Sequence, residues 1–268
     1  IARVLEAGDA EGRPFLVMEF VEGMTLDAFA KPLPLARRLA LVAELCDAVH
    51  HAHVHGVIHR DLKPSNVMVR EDARVVVLDF GVARLADDSS NPGATRDGEL
   101  VGTPLYMSPE QARLRPDQVD ARSDVYTLGV IFYELACGEL PYDIRELPLS
   151  VITGIIATDD PTPLGRRDPA LRGDLEAIAG KALAKEPRDR YQSAAALADD
   201  IRHYLAGESV SVRAPGTLEQ LQRFVRRRPL VASAIAGAIV VAGAFAAIVT
   251  ALWLEARTAR RSAEGARA

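Results

Sequence analysis

The chain has 268 residues, of which 49% are hydrophobic, so it is long enough to bury a core in one or two domains. Its net charge of −5 is uneven, because residues 223–268 carry +6 and residues 1–222 therefore carry −11. An acidic body argues against nucleic-acid binding, whereas a basic end suits an anionic membrane surface. Cys46 and Cys137 are far apart and predict neither a disulfide framework nor a metal site.

Two apolar segments at the start of the chain predict a β-hairpin. They span residues 1–8 and 14–21, with a polar turn between them. Residues 35–53 then place apolar side chains at helical spacing and predict a core helix. Several histidines near its end (His50, His51, His53 and His55) raise a zinc hypothesis. We disfavour it, because the histidines are too closely spaced to converge on one ion and no Cys or carboxylate set follows.

The stretch from His59 to Gly81 carries the residues that chemistry would need. It reads His59-Arg60-Asp61-Leu62-Lys63-Pro64-Ser65-Asn66 and, after two short apolar strands, Asp79-Phe80-Gly81. Phosphoryl transfer requires a base, oxygen ligands for Mg²⁺ and positive charge near the transferred phosphate. Asp61 fits the base and Lys63 the cation, while Asn66 and Asp79 fit the metal ligands. Singly, such residues also suit ordinary turns; both motifs together, in this order, favour catalysis.

With these motifs the sequence resembles the Hanks-type (eukaryotic-like) serine/threonine protein kinases, of the bacterial membrane-anchored receptor-like type. The motif Lys63-Pro64-Ser65-Asn66 resembles that of the serine/threonine kinases rather than that of the tyrosine kinases. The resemblance implies an α+β, protein-kinase-like fold, consisting mostly of the helical C-lobe and the last N-lobe strands, followed by a single transmembrane helix. It also implies ATP and Mg²⁺, and protein substrates.

The family's hinge and adenine site match the first strands. By position in the family, Met18 would gate the back pocket, and Glu19 and Val21 would supply backbone contacts to adenine; a plain hairpin is the alternative. Met68 would form the floor under the ring or simply pack in the core, and Lys63 and Asp79 would reach the phosphates and their metal. The family's glycine-rich loop, strand lysine and helix glutamate have no match from Ile1 onwards. The chain is therefore expected to be a fragment that lacks most of the N-lobe and is inactive by itself.

Residues 82–101 are small and polar and match the family's activation loop, which ends at Ser108-Pro109-Glu110 instead of the usual Ala-Pro-Glu. Arg60, beside the catalytic aspartate, is expected to bind an anion, which a phosphorylated loop residue can provide. The candidate phosphosites, in order of preference, are Thr95, Ser89 and Ser90. Asp97 is the alternative, a fixed carboxylate in place of part of the phosphate.

Further positions match structural roles in the family. Thr103 is expected to hydrogen-bond the catalytic aspartate and lysine, and His59 to pack beneath the metal-binding loop. Glu110 is expected to pair with Arg190. Asp124, in the first turn of a buried helix predicted over residues 123–135, is expected to hold the catalytic loop from below. The remaining helices of the lobe are predicted over residues 149–157, 174–185 and 193–206.

Residues 230–254 contain no charge, and at about 1.5 Å per residue they exceed the roughly 30 Å of a bilayer core. This predicts a partial kinase domain (1–207), a juxtamembrane linker (208–228), a transmembrane helix (229–254) and a truncated post-membrane tail (255–268). The alternatives are a buried hydrophobic helix and a non-native tail. Since ATP is cytoplasmic, the protein is expected to cross the membrane once, with a cytoplasmic kinase domain.

The function expected from the resemblance is transfer of the ATP γ-phosphoryl group to Ser or Thr hydroxyls of proteins in membrane-linked signalling. Partners would be protein substrates, the membrane and a second copy for trans-autophosphorylation, but no nucleic acid. A pseudokinase scaffold that binds partners is the alternative, against which the intact Asp61, Lys63, Asn66 and Asp79 argue. A small-molecule phosphotransferase is disfavoured by residues 102–110, which resemble a protein-substrate platform.

Overall fold

The computed structural model describes residues 1–10, 13–80, 104–145 and 147–212. The chain divides into two compact units, residues 1–214 and 215–268, and the described residues all belong to the first. Within the described ranges the fold is α+β and mostly helical. The helices are α1 (Leu26–Ala30), α2 (Leu35–Val54), α3 (Pro109–Ala112), α4 (Ala121–Cys137), α5 (Leu149–Thr158), α6 (Leu164–Arg167), α7 (Asp174–Ala182) and α8 (Ala194–Ala206). The strands are β1 (Val4–Ala10), β2 (Arg13–Met18), β3 (Met24–Thr25), β4 (Val67–Val69) and β5 (Val75–Val77).

The strands form two small antiparallel sheets. β1 pairs with β2, and Ala7 lies opposite Leu16. In the other sheet β4 lies between β3 and β5, with Val67 opposite Val77. The predicted first hairpin is present, but β1 begins later than expected. The residues before it bond to another strand, since the Ala2 amide donates to the Val77 carbonyl of β5 at 2.9 Å.

Helix α4 is central to the main hydrophobic core. It is buried nearly all round and packs against α2, α7 and α8. Asp120 caps its N-terminus by accepting from the Arg122 amide at 2.8 Å, and Gly138 ends it with φ of 81°. Close packing on α7 requires a glycine at position 129, because a Cβ there would lie 2.7 Å from the Ala182 Cβ. The helix predicted over residues 123–135 is therefore present and extends further at both ends.

A smaller core joins α5 to the segment that precedes α3. Its buried members are Tyr142, Ile144, Ile152 and Ile156. Partly buried side chains pack against them, namely Leu105, Met107, Ala112 and Ile155. Helix α5 therefore contacts the segment around residues 105–107 through this core. These residues belong to the stretch, 102–110, that resembles a protein-substrate platform.

After α8 the chain turns back onto that helix. Gly207 ends α8 in the left-handed region, with φ of 72°, and the Glu208 amide donates to the His203 carbonyl. Asp200, buried on α8, accepts from the backbone amide and the hydroxyl of Ser211, both at 2.7 Å. The first residues of the predicted linker are thus docked on the helix.

The predicted transmembrane helix (229–254), the linker beyond residue 212 and the tail (255–268) lie outside the described residues. Of the helices that the structure does describe, none has the length and apolar character needed to cross a bilayer. The membrane segment therefore stays a prediction from the sequence.

Candidate active site

The loop between α2 and β4 brings the predicted catalytic residues together. The Lys63 ammonium group donates to Oδ2 of Asp61 at 2.9 Å. Asn66 ends a 3-10 turn, and its Nδ2 donates to the Asp61 carbonyl at 2.9 Å. The Asp61 side chain is 56% exposed, so a substrate hydroxyl can reach its carboxylate. The arrangement offers a proton acceptor with a cation beside it.

Asp124 holds this loop from α4. Its carboxylate accepts from the backbone amides of His59 at 2.8 Å and Arg60 at 2.9 Å, and His53 Nε2 lies 2.8 Å from its Oδ2. Arg60 has a φ of 68°, a conformation that is uncommon for a residue other than glycine. The bonds to Asp124 fix this strained backbone directly before the catalytic aspartate. Asp124 therefore fixes the backbone of His59 and Arg60, the two residues before Asp61.

His59 connects the catalytic loop to the predicted metal-binding loop. Its Nε2 lies 2.8 Å from the Leu78 carbonyl oxygen, and its ring centroid lies 4.7 Å from that of Phe80. The Leu78 amide donates to the Asn66 carbonyl at 2.8 Å. Asp79, which follows, has a φ of 54°. Asn66 and Asp79 are therefore held on segments that bond directly to each other.

The side chains of Asn66 and Asp79 fit a Mg²⁺ ion chemically. Because the Asn66 amide nitrogen bonds to Asp61, its oxygen Oδ1 is the atom that would bind a cation. Asp79 adds a carboxylate, and Mg²⁺ prefers oxygen ligands of these kinds together with phosphate oxygens. An ion held by Asn66 and Asp79 would neutralise charge on the phosphates.

Arg60 is the predicted anion-binding residue. Gln111 Nε2 donates to its carbonyl at 2.6 Å, and Gln111 also closes a capping box with Ser108 at the start of α3. The Arg60 Nε atom is buried and has no hydrogen-bond partner among the described residues. A guanidinium group in this state is suited to an anion. The predicted partners Thr95 and Asp97 lie outside the described residues, as does Thr103.

The predicted hinge follows β2, which ends at Met18. The Glu19 amide donates to the Arg3 carbonyl at 2.9 Å, so its own carbonyl is the group left for a nucleotide base. Val21 belongs to a small apolar cluster whose other members are Ala2, Val76, Met68 and Leu78. Val21 and Met68 therefore share one apolar surface. The roles of Met18, Glu19, Val21 and Met68 in adenine binding stay predictions.

Glu110 and Arg190 form a buried ion pair between residues that are 80 positions apart. Both carboxylate oxygens accept from Arg190 at 2.8 Å, and the side chains of Glu110 and Arg190 are only 3% and 0% exposed. Burial alone would raise the pKa of Glu110, but the bonds from Arg190 and Ser123 lower it below its usual value. Arg190 also donates to the backbone carbonyls of Ala184, Arg122 and Lys185. The pair ties α3 to the segment that precedes α8.

The family model described as protein kinase domain matches residues 1–201. This chain belongs to the protein kinase family. It is 41% identical over 215 residues to serine/threonine-protein kinase PknB of Mycobacterium leprae, covering 78% of this chain and 34% of that protein. It is also 40% identical over 230 residues to PknB of Mycobacterium tuberculosis (strain H37Rv), covering 83% of this chain and 36% of that one. For Pkn1 of Myxococcus xanthus the identity is 40% over 232 residues, covering 83% and 32%. The chain thus spans about a third of the length of these relatives.

Three side chains that support the site or the elements around it were not identified from the sequence. For Gln111 the sequence contained a relevant pattern, because Ser108-x-x-Gln111 is typical of a capping box. That pattern does not indicate the hydrogen bond that Gln111 donates to the Arg60 carbonyl. His53 was considered only as a metal ligand, whereas it binds Asp124. Lys185 is buried, with a relative exposure of 5%, and no sequence pattern indicates this burial.

Proposed function

We propose that this chain is the catalytic part of a membrane-anchored serine/threonine protein kinase that transfers the γ-phosphoryl group of ATP to Ser and Thr hydroxyls of proteins. The observation that carries the proposal is the joint placement of Asp61, Lys63 and Asn66 in one loop, with bonds of 2.9 Å between them. The names of the relatives, which are serine/threonine-protein kinases, support the class of acceptor.

In the proposed reaction, the Asp61 carboxylate accepts the proton of the substrate hydroxyl. The hydroxyl oxygen forms a bond to the γ-phosphorus while the bond between that phosphorus and the ADP oxygen breaks. Lys63 supplies positive charge near the transferred group, and Asn66 and Asp79 would hold Mg²⁺. Since such a transfer needs little covalent help, the rate depends largely on positioning and electrostatics, and the bonds of Asp124 to the loop contribute to the positioning.

Regulation through Arg60 is part of the proposal. The buried Nε of Arg60, which has no partner among the described residues, supports binding of an anion there. In the first version that anion is phosphorylated Thr95, with Ser89 and Ser90 as further candidates; in the second it is the Asp97 carboxylate. Full activity of Thr95→Ala would contradict the first version, and full activity of Asp97→Asn would contradict the second.

Membrane anchoring is proposed from the uncharged residues 230–254 and the arginines on both sides. ATP and Mg²⁺ are cytoplasmic, so the kinase domain would face the cytoplasm. A homodimer would then bring two kinase domains together for trans-autophosphorylation. Recovery of the full chain, but not of residues 1–214, in the membrane fraction after a high-salt wash is the expected result. Release of both by salt would contradict an inserted helix.

The function itself is tested by Mg²⁺-dependent transfer of labelled phosphate. We would compare the chain alone with the same chain preceded by its upstream reading frame, because the glycine-rich loop and strand lysine have no match in these residues. We expect transfer by the longer protein, none by the chain alone, and none by the longer Asp61→Asn variant. Asp72→Asn is the matched control, since Asp72 lies in the exposed turn between β4 and β5. A folded longer protein that transfers no phosphate would favour the pseudokinase scaffold.

A further inference from the structure

Lys185 is a buried lysine that the proposed reaction does not use. Its relative exposure is 5%, and it is one of few charged side chains in the described core. The ammonium group donates to the Tyr142 hydroxyl at 2.7 Å and to the Ile156 carbonyl at 2.6 Å. Nζ also lies 4.6 Å from the centroid of the Tyr142 ring. Both hydrogen-bond acceptors are uncharged, so keeping a cation buried at this position is costly.

Lys185 and Arg113 together bind the C-terminal end of α5. The last carbonyls of a helix lack intrahelical partners and carry partial negative charge. Lys185 donates to the Ile156 carbonyl, and Arg113 Nη2 donates to the Ala157 carbonyl at 2.7 Å. Two cations from different segments therefore complement one helix end.

The two cations come from the two segments that the Glu110–Arg190 pair joins. Arg113 directly follows α3, which contains Glu110. Lys185 lies in the segment of Arg190, which donates to the Lys185 carbonyl at 2.9 Å. The ion pair and the end of α5 are thus parts of one connected set of bonds.

The same set of bonds reaches the predicted substrate platform. Ile156 and Tyr142 belong to the small core against which Leu105 and Met107 pack. The Tyr142 and Tyr126 hydroxyls lie 2.9 Å apart, which links Lys185 to α4. Lys185 and the side chains of Leu105 and Met107 therefore contact the same small core.

We propose that Lys185 is a positioning residue, whose ammonium group fixes the C-terminal end of α5 and thereby sets residues 105–107 in the geometry that receives a protein substrate. This inference rests on the proposed protein kinase activity. The catalytic loop is held by the Asp124 carboxylate, which bonds directly to the His59 and Arg60 amides and not through α5. Loss of Lys185 should therefore weaken recognition of the protein substrate more than it slows the transfer step.

The charge on Lys185 changes close to neutral pH. Burial lowers the pKa of Lys185 to about 7; Asp159 opposes this shift, whereas Arg113 and Arg190 add to it. The titratable or charged groups on the elements around it are Asp159 after α5, Arg113 after α3, Tyr142 before α5, Tyr126 on α4, and Glu186 and Arg190 in its own segment. Deprotonation removes both the charge-assisted bond to Ile156 and the attraction to the helix end.

The test measures KM for a protein substrate, KM for ATP and kcat from roughly pH 6 to pH 8.5, with the longer, active protein. In the wild type we expect the protein KM to rise as the pH increases through about 7. In Lys185→Met the KM for the protein substrate should be about tenfold higher than in the wild type at the acid end, because a tenfold change corresponds to the loss of one charge-assisted hydrogen bond. This KM should not depend on pH. In Lys185→Arg, which stays charged, the KM for the protein substrate should remain low across the whole pH range. kcat and the ATP KM should stay within about twofold.

Lys181→Met is the matched control, because Lys181 packs over the Tyr191 ring at 4.3 Å on α7. It should leave the protein KM and its pH dependence unchanged. A Lys185→Met variant that lowers kcat and raises both KM values together would show a merely structural role. A wild-type protein KM without an inflection near neutral pH would also overturn the proposal.

A second measurement does not depend on catalysis. The δ1-methyl NMR signals of Ile152 and Ile156 in the full chain should titrate with a midpoint near 7 in the wild type and not in Lys185→Met. Identical titration in the two proteins would overturn the coupling of Lys185 to α5. If the longer wild-type protein transfers no phosphate, the proposed function fails and the substrate-binding part of this inference fails with it. The methyl titration still decides whether Lys185 controls α5.

Discussion

Replacing Arg190 with methionine removes one side of the buried ion pair while keeping an unbranched side chain in the cavity. The change deletes both bonds to Glu110 and leaves its carboxylate, 3% exposed, with the Ser123 hydroxyl as a side-chain donor. It also removes the donors of the Ala184, Arg122 and Lys185 carbonyls. Breaking a buried pair in this way costs about 3–5 kcal/mol, because a charge stays buried without its partner.

That cost is a large part of the free energy of unfolding of a domain, which is about 5–15 kcal/mol. For a domain of this size each kcal/mol lowers Tm by about 2–4 °C, so Tm should fall by roughly 6–20 °C. Urea unfolding of the full chain, followed by circular dichroism, gives the free energy directly. Thermal unfolding gives the shift in Tm.

Two companion variants separate the charge from the other bonds. Arg190→Met combined with Glu110→Leu removes both charges of this pair, so part of the stability should return. Recovery should be incomplete, because the three carbonyls still lack the donor that Arg190 supplied. Arg202→Met removes an exposed partner of Asp47 and should cost less than about 1 kcal/mol. If Arg190→Met is as mild as Arg202→Met, the reasoning about the buried pair is wrong.

Three further predictions concern the loop, the core and pH. Asp124→Asn places an amide donor against the backbone amides of His59 and Arg60, so kcat of the longer protein should fall about 10–100-fold in a phosphate-transfer assay. The control is the helix-cap variant Asp120→Asn, whose effect should mainly be on Tm. Gly129→Ala puts a methyl group 2.7 Å from the Ala182 Cβ and should cost about 1–3 kcal/mol in urea unfolding, part of which Ala182→Gly should restore. The pKa of Glu110 is lowered in the folded state, so its contribution to stability is complete above its unfolded value of about 4.3 and is lost as the pH falls through the lower folded value. Unfolding free energies measured between neutral and acid pH should therefore fall further in the wild type than in Arg190→Met combined with Glu110→Leu, which lacks the Glu110 carboxylate but keeps the other carboxyl groups whose pKa values are lowered, Asp120 and Asp200.

Much of the catalytic loop could be predicted because its residues are close together in the sequence. Asp61, Lys63 and Asn66 lie within one short loop, so their spacing already limits how far apart they can be. The pair of Glu110 and Arg190 was predicted over a long separation, but only through resemblance to a family. No local pattern connects residues that are 80 positions apart.

Other contacts could not be predicted, because they depend on how separate elements pack. His53 binds Asp124 only because α2 and α4 lie side by side, and its histidine neighbours pointed instead to a metal. Lys185 resembles a surface lysine in sequence, and its burial follows from the positions of α5 and Tyr142. The start of β1 was misplaced because the Ala2 amide bonds to β5, which the sequence places far away.

The Asp200–Ser211 contact has a practical consequence for anyone who shortens this protein. The sequence suggests a natural stop at Gly207, where α8 ends. A protein cut there would keep Asp200 buried, with the Tyr191 hydroxyl at 2.7 Å, but would lose both bonds from Ser211 and the packing of Val210 and Val212 on the main core. An end point after residue 212 keeps this last turn of chain, and a soluble version designed on that basis should unfold at a higher temperature than one that stops with the helix.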